Sequence, residues 1–134
     1  MSRIAAIDWG IKRIGIAISD ERKKIALPFQ TIAGGKKAVA EVAKALLPKQ
    51  VELILVGLPL LLNGKEGETA GLVKQFSKEL EEMVKIPVKL VDERFSSKIA
   101  DQSLREIHLN RKERTEKMDM TAATMLLQGY LDNL

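Results

Sequence analysis

Four acidic residues stand out for where the chain places them. Asp8 closes the apolar run Arg3–Asp8, Asp92 and Glu93 directly follow Val88–Val91, and Asp119 falls in helical step with Ala122, Ala123 and Leu126. Carboxylates are hard oxygen ligands, and three of them brought together can hold Mg²⁺ or Mn²⁺ with waters completing the shell. A carboxylate on a largely apolar helix face is costly to bury unless something pairs with it. One divalent cation meets that need for all of these acids at once. Each acid also has a purely structural reading. Asp8 can cap the turn that follows it, Asp92 or Glu93 can pair with Arg94, and Asp119 can favour the positive end of a helix dipole.

Basic and glycine-bearing loops adjoin these acids. Asp8-Trp9-Gly10-Ile11-Lys12-Arg13 joins a strand-end acid to two cations; Gly10 permits close backbone approach, and Lys12 and Arg13 suit a phosphate. Gly57 and the Asn63-Gly64 turn frame a second loop that either admits a nucleic-acid backbone or simply reverses the chain. Arg94 is a further cation beside the Asp92-Glu93 pair.

Composition narrows the chemistry. The chain has 134 residues and no cysteine, which excludes disulfides, thiolate metal sites and thiol nucleophiles. His108 is the only histidine, and it falls in a polar stretch that reads as surface. With 22 Lys and Arg against 18 Asp and Glu, the formal net charge of +4 favours a polyanionic partner, weakly. No apolar run approaches the ~20 residues that span a bilayer, and no charged leader precedes an apolar core. These features lead us to expect a cytoplasmic protein without a membrane partner, folded as a single domain over 1–134.

The elements that must position the acids follow from periodicity. Arg3–Asp8, Ile14–Ser19 and Ile25–Ala33 read as a strand meander, with Pro28 assigning the third strand to an edge or a bulge. After Gly34-Gly35 the apolar spacing becomes helical through Val39, Val42, Ala43, Leu46 and Leu47 until Pro48. Leu53–Val56 is a strand, Leu72 to Met83 a helix, Val88–Val91 a fifth strand, and Ser97–Ile107 a further helix. Thr115–Leu131 is the last helix, with Thr115 as its N-cap. The order predicts an α/β fold: a central five-stranded mixed sheet flanked by helices, strands one, four and five parallel and strand two antiparallel. Ligands of such sheets sit beyond the carboxyl ends of the parallel strands, where Asp8, Asp92 and Glu93 lie.

Four stretches carry a family resemblance. They are Asp8-Trp9-Gly10-Ile11-Lys12-Arg13-Ile14-Gly15 through Asp20; Val56-Gly57-Leu58-Pro59 with Asn63-Gly64; Asp92-Glu93-Arg94-Phe95-Ser96-Ser97; and Lys117-Met118-Asp119 through Ala122-Ala123 to Leu127-Gln128-Gly129-Tyr130-Leu131. Together they make the chain resemble the YqgF family, also called RuvX, of Holliday junction resolvase-like proteins regarded as pre-16S rRNA nucleases with an RNase H-like fold. The resemblance implies that Asp8, Glu93 and Asp119 are catalytic and hold Mg²⁺ or Mn²⁺, with Asp92 a neighbour that replaces or supports Glu93. It also implies that Lys12, Arg13, Arg94, Gly57, Asn63 and Gly64 contact nucleic acid, either a ribosomal RNA precursor or branched DNA. Trp9 is bulkier than the residue expected after the first aspartate.

Two other functions compete. ATP-dependent phosphoryl transfer on a related sheet normally closes two lobes on the nucleotide, and no G-x-x-x-x-G-K-[ST] occurs here. A noncatalytic RNA-binding assembly factor accounts for the charge, but with aromatics at 4% there is little to build an extended stacking platform. A resolvase of four-way junctions needs two sites on opposite strands, yet the apolar pattern marks no dimer surface, so monomer and homodimer both remain open.

Overall fold

The computed structural model describes residues 2–59, 63–92 and 111–134, the side chains of 111–121 excepted. Within them the chain forms β1 (Arg3–Asp8), β2 (Arg13–Ser19), β3 (Ala26–Ala33), α1 (Ala38–Leu46), a 3-10 turn (Leu47–Lys49), β4 (Val51–Leu58), α2 (Glu68–Val84), β5 (Val88–Asp92) and α3 (Arg111–Asp132). The five strands make one mixed sheet in the order β3-β2-β1-β4-β5. β1 runs antiparallel to β2 and parallel to β4, and β5 is parallel to β4, as the periodicity predicts.

β1 and β4 are central, and their near-continuous apolar sequences suit burial on both faces. On one face Ala5, Ile7, Ile14, Ile16, Ile54 and Val56 pack against Val42 and Leu46 of α1 and Val73, Phe76 and Leu80 of α2. On the other, Ile4, Ala6, Ala17 and Leu55 pack under Ala123, Leu126, Leu127 and Leu131 of α3. The i, i+3, i+4, i+8 spacing of those four α3 residues gives the helix its single buried stripe. The small alanines of β1 and β2 let α3 lie close to the sheet.

Gln128 fixes α3 along the sheet. Its Oε1 accepts the Ala26 N–H at 2.9 Å, and its Nε2 donates to the Lys24 carbonyl at 2.9 Å. The C-terminal end of α3 is therefore tied to the β2–β3 turn, at the end of the sheet where β1 begins.

Several boundaries differ from expectation. α3 is already helical at Arg111, so Thr115 lies inside the helix and is not its N-cap. β4 extends through Gly57 to Leu58, because the Gly57–Val91 and Leu58–Asp92 pairs continue the ladder past the glycine. β3 is an edge strand as expected, and its register shifts where Ile16 faces Gln30 but Ala17 faces Pro28. The expected helix Ser97–Ile107 and His108 lie outside the described residues.

Candidate active site

Asp8 is the last residue of β1, and alternation along the strand puts it on the α3 face with Ile4 and Ala6. It is half-buried. Its partner across the antiparallel ladder is Gly15, and a Cβ built on Gly15 would meet no described atom within 4 Å. On the other side, one step beyond the Ile7–Val56 pair, β4 continues into Gly57, which is buried. The space on both flanks of Asp8 is thus free of side chain from the adjoining strands. Among the described residues no donor or cation meets the Asp8 carboxylate, and it does not cap the turn that follows. A half-buried anion without a partner among the described residues suits a bound cation, which fits the ion that the resemblance implies.

The turn after Asp8 is held by close backbone packing. A Cβ on Gly10 would lie 2.6 Å from the Arg13 carbonyl oxygen, and one on Gly34 would lie 2.1 Å from that of Ile11. The Gly34 N–H also donates to the Lys12 carbonyl at 2.9 Å. In the sequence Gly34 reads only as a chain break; its requirement arises from a contact distant in sequence. Lys12 and Arg13 are exposed on this braced turn, with no ion pair among the described residues.

Asp92 ends β5, two strands from β1 and so about 10 Å away at the usual ~4.8 Å strand spacing. Alternation divides β5 between faces. Val88 packs with the α1–α2 core, Val91 with the α3 core, and Lys89 stands over the Tyr130 ring of α3 at 5.2 Å. Asp92 follows Val88 and Leu90 onto the α1–α2 face, opposite to Asp8. Glu93 and Arg94 lie outside the described residues.

Asp119 lies in α3, four residues before buried Ala123, with its side chain outside the described residues. Because the helix already includes Arg111, Asp119 is more than two turns in, beyond the first turn over which the dipole acts. The dipole reading of this acid therefore loses its basis.

Gly57 sits level with Val91 between the two acid-bearing strands. Asn63 and Gly64 form an exposed turn in which Asn63 Oδ1 accepts the Lys65 N–H at 2.9 Å, and Gly64 adopts φ +83°. Glu66 pairs with Lys74 of α2 and anchors the loop's far end. Among the described residues no three acidic or histidine side chains form a metal cluster, and no helix is long and apolar enough to cross a membrane.

The sequence pattern of the RuvX family, described as Holliday junction resolvase, matches residues 2–133. The chain belongs to the RuvX family. Two relatives of this chain carry a pre-16S rRNA nuclease name. One, from Protochlamydia amoebophila (strain UWE25), is 42% identical, over 98% of this chain and 94% of its own. The other, from Syntrophomonas wolfei subsp. wolfei, is 43% identical, over 97% and 94%. Among solved structures, T. thermophilus RuvC in complex with Holliday junction substrate aligns with TM-score 0.63 at 16% identity, covering 99% of this chain and 95% of that one. The fowlpox virus Holliday junction resolvase aligns at 0.57 and 18%, covering 98% and 99%. The mixed sheet with its helices is accordingly the RNase H-like fold of these resolvases.

Proposed function

We propose that this RuvX-family chain is a divalent-metal-dependent nuclease, a single domain over 1–134, that hydrolyses phosphodiester bonds of a ribosomal RNA precursor in the cytoplasm. The observation that carries the reading is the Asp8 carboxylate, half-buried and without a described partner, at the carboxyl end of the central strand between two glycine-bearing strands. The nuclease names of relatives near 42% identity supply the substrate class.

Asp8, Glu93 and Asp119 would hold the ion. Asp92 is the weaker candidate of the adjacent pair, since its place in β5 assigns it to the face away from Asp8. Support for Asp119 comes from helix arithmetic. Position 119 lies nine residues before Gln128, about 13 Å at 1.5 Å per residue. Asp8 lies about 13 Å along β1 from Ile4, so α3 is long enough to carry position 119 from the start of β1 to the Asp8 end. When bound, Mg²⁺ or Mn²⁺ neutralises charge on the attacking and leaving oxygens of an in-line displacement. Lys12, Arg13 and Arg94 would hold neighbouring phosphates and orient the strand without reading its bases. Gly15 and Gly57 leave room for the backbone to approach Asp8.

The test compares wild type with Asp8→Asn, Glu93→Gln, Asp119→Asn and Asp92→Asn on precursor RNA and on a synthetic four-way junction, with Mg²⁺, Mn²⁺ or chelator. The first three substitutions are expected to lower cleavage at least a hundredfold with the fold retained, and Asp92→Asn to act weakly. Full cleavage in chelator, or by all three of those variants, would overturn the reading. Preference for the junction over RNA would favour instead the branched-DNA activity stated in the resolvase description of the family.

A further inference from the structure

We propose that the groove between α1 and α2 beside Trp9 receives an unstacked nucleobase, which makes single-stranded nucleic acid the substrate form. The inference rests on the phosphodiester reading above and adds a second, separable contact to it. The groove has a volume of about 620 Å³, and its lining includes Trp9, Ile11, Lys36, Leu72, Gln75 and Glu79. Ile11 and Leu72 are 69% and 50% exposed, large apolar side chains held in water beside the only tryptophan of the chain. A half-buried indole that packs on the core and lines the groove together with two aliphatic side chains offers a planar ring the contact it loses on leaving a base stack.

Charge and position name the occupant. Lys36 lines the groove; Lys12 adjoins Ile11 and Lys37 adjoins Lys36, and none of the three is ion-paired among the described residues. That supplies cations for the phosphates of a base seated there. On the α2 side Gln75 Nε2 donates to Glu79 Oε1 at 2.9 Å, which leaves oxygen acceptors on the rim for the amino groups of adenine, cytosine or guanine. Trp9 directly follows Asp8, and alternation places the two on opposite faces of the sheet at its end. A strand crossing that end can set a phosphate at Asp8 and drop the neighbouring base into the groove. A base kept in a duplex stack cannot make that drop.

Because Trp9 is the sole tryptophan, its fluorescence reports the groove without reference to cleavage. The full chain in chelator is titrated with a ten-nucleotide single-stranded RNA, the same sequence as a duplex, and an abasic sugar–phosphate oligomer. Quenching is expected with the single strand and not with the other two. Leu72→Asp, at an exposed position, should weaken single-strand binding about tenfold or more. Lys36→Ala should weaken it and lower the salt slope by about one. Equal quenching by the abasic oligomer or the duplex, or unaltered binding by Leu72→Asp, would overturn the proposal. RNA cleavage in Mn²⁺ with no fluorescence change also overturns it while leaving the hydrolytic reading intact. Quenching by single strands without any cleavage supports the groove and counts against hydrolysis.

Discussion

Asp8 and Gly15 face each other across the β1–β2 ladder, and the glycine leaves open the space next to the carboxylate. A Cβ there would meet no described atom within 4 Å, and the rest of a larger side chain would crowd the approach to the acid. The pairing therefore separates what the fold needs from what the site needs.

Gly15→Val should fold with stability within about 1 kcal/mol of wild type, since valine suits a strand. Cleavage should fall about a hundredfold, the loss that ~1 Å of misplacement produces. Thermal unfolding beside a cleavage assay checks both halves; a folded variant with full activity would show that the space beside Asp8 is not used.

The same glycine-to-alanine change should have opposite signs at two positions. Gly34→Ala drives a methyl to 2.1 Å from the Ile11 carbonyl oxygen and should cost about 1–3 kcal/mol as the β1–β2 turn shifts. Gly71→Ala lies on the exposed side of α2 with nothing within 4 Å and should stabilise by about 0.5–1 kcal/mol. Denaturant unfolding of the two variants side by side reads the difference.

Gln128→Ala removes the acceptor of the part-buried Ala26 N–H and both bonds that tie α3 to the β2–β3 turn. Stability should fall by about 1–3 kcal/mol. Cleavage should fall as well, because the helix that carries Asp119 loses its anchor. Hydrogen exchange at Ala26 is the direct measurement.

Asp20 carries a pH dependence. The Ile25 and Lys24 N–H groups donate to its Oδ1 at 3.0 and 2.8 Å and hold its carboxyl below the ordinary carboxylate range. A group whose folded pKa is depressed contributes stability above its unfolded pKa of about 3.9, and that contribution disappears as pH falls through the folded value. Asp20→Ala should thus be less stable than wild type near neutral pH, with the gap closing below about pH 4. Unfolding midpoints measured from pH 7 to pH 2 test the sign.

Much of the scaffold was legible because its signals are local. Asp8 ends an apolar run, so the strand end and the acid were read together, and Pro28 marked β3 as an edge by its missing N–H. Thr115 has the chemistry of an N-cap and suggests a shorter last helix, whereas Arg111, Lys112 and Glu113 are good helix formers that carry the helix further back. Gly57 reads as a strand breaker, yet its pairing with Val91 keeps it in the sheet. The structural roles of Gly34 and Gln128 are not legible in the sequence for one reason: each acts on a partner far along the chain, on Ile11 and on Ala26, and no window of neighbouring residues contains that relation. The assignment of Asp92 to the face away from Asp8 likewise needed the register of β5.

The irregular outer border of β3 bears on how copies of this chain can associate. Pro28 offers no amide hydrogen, and the register shift beside it bends the strand's run of free backbone groups. Both features disfavour extension of the sheet across that border by a second molecule pairing strand to strand. Two-fold pairing through this border, if a junction substrate demanded it, would have to be built from side chains and not from a shared ladder.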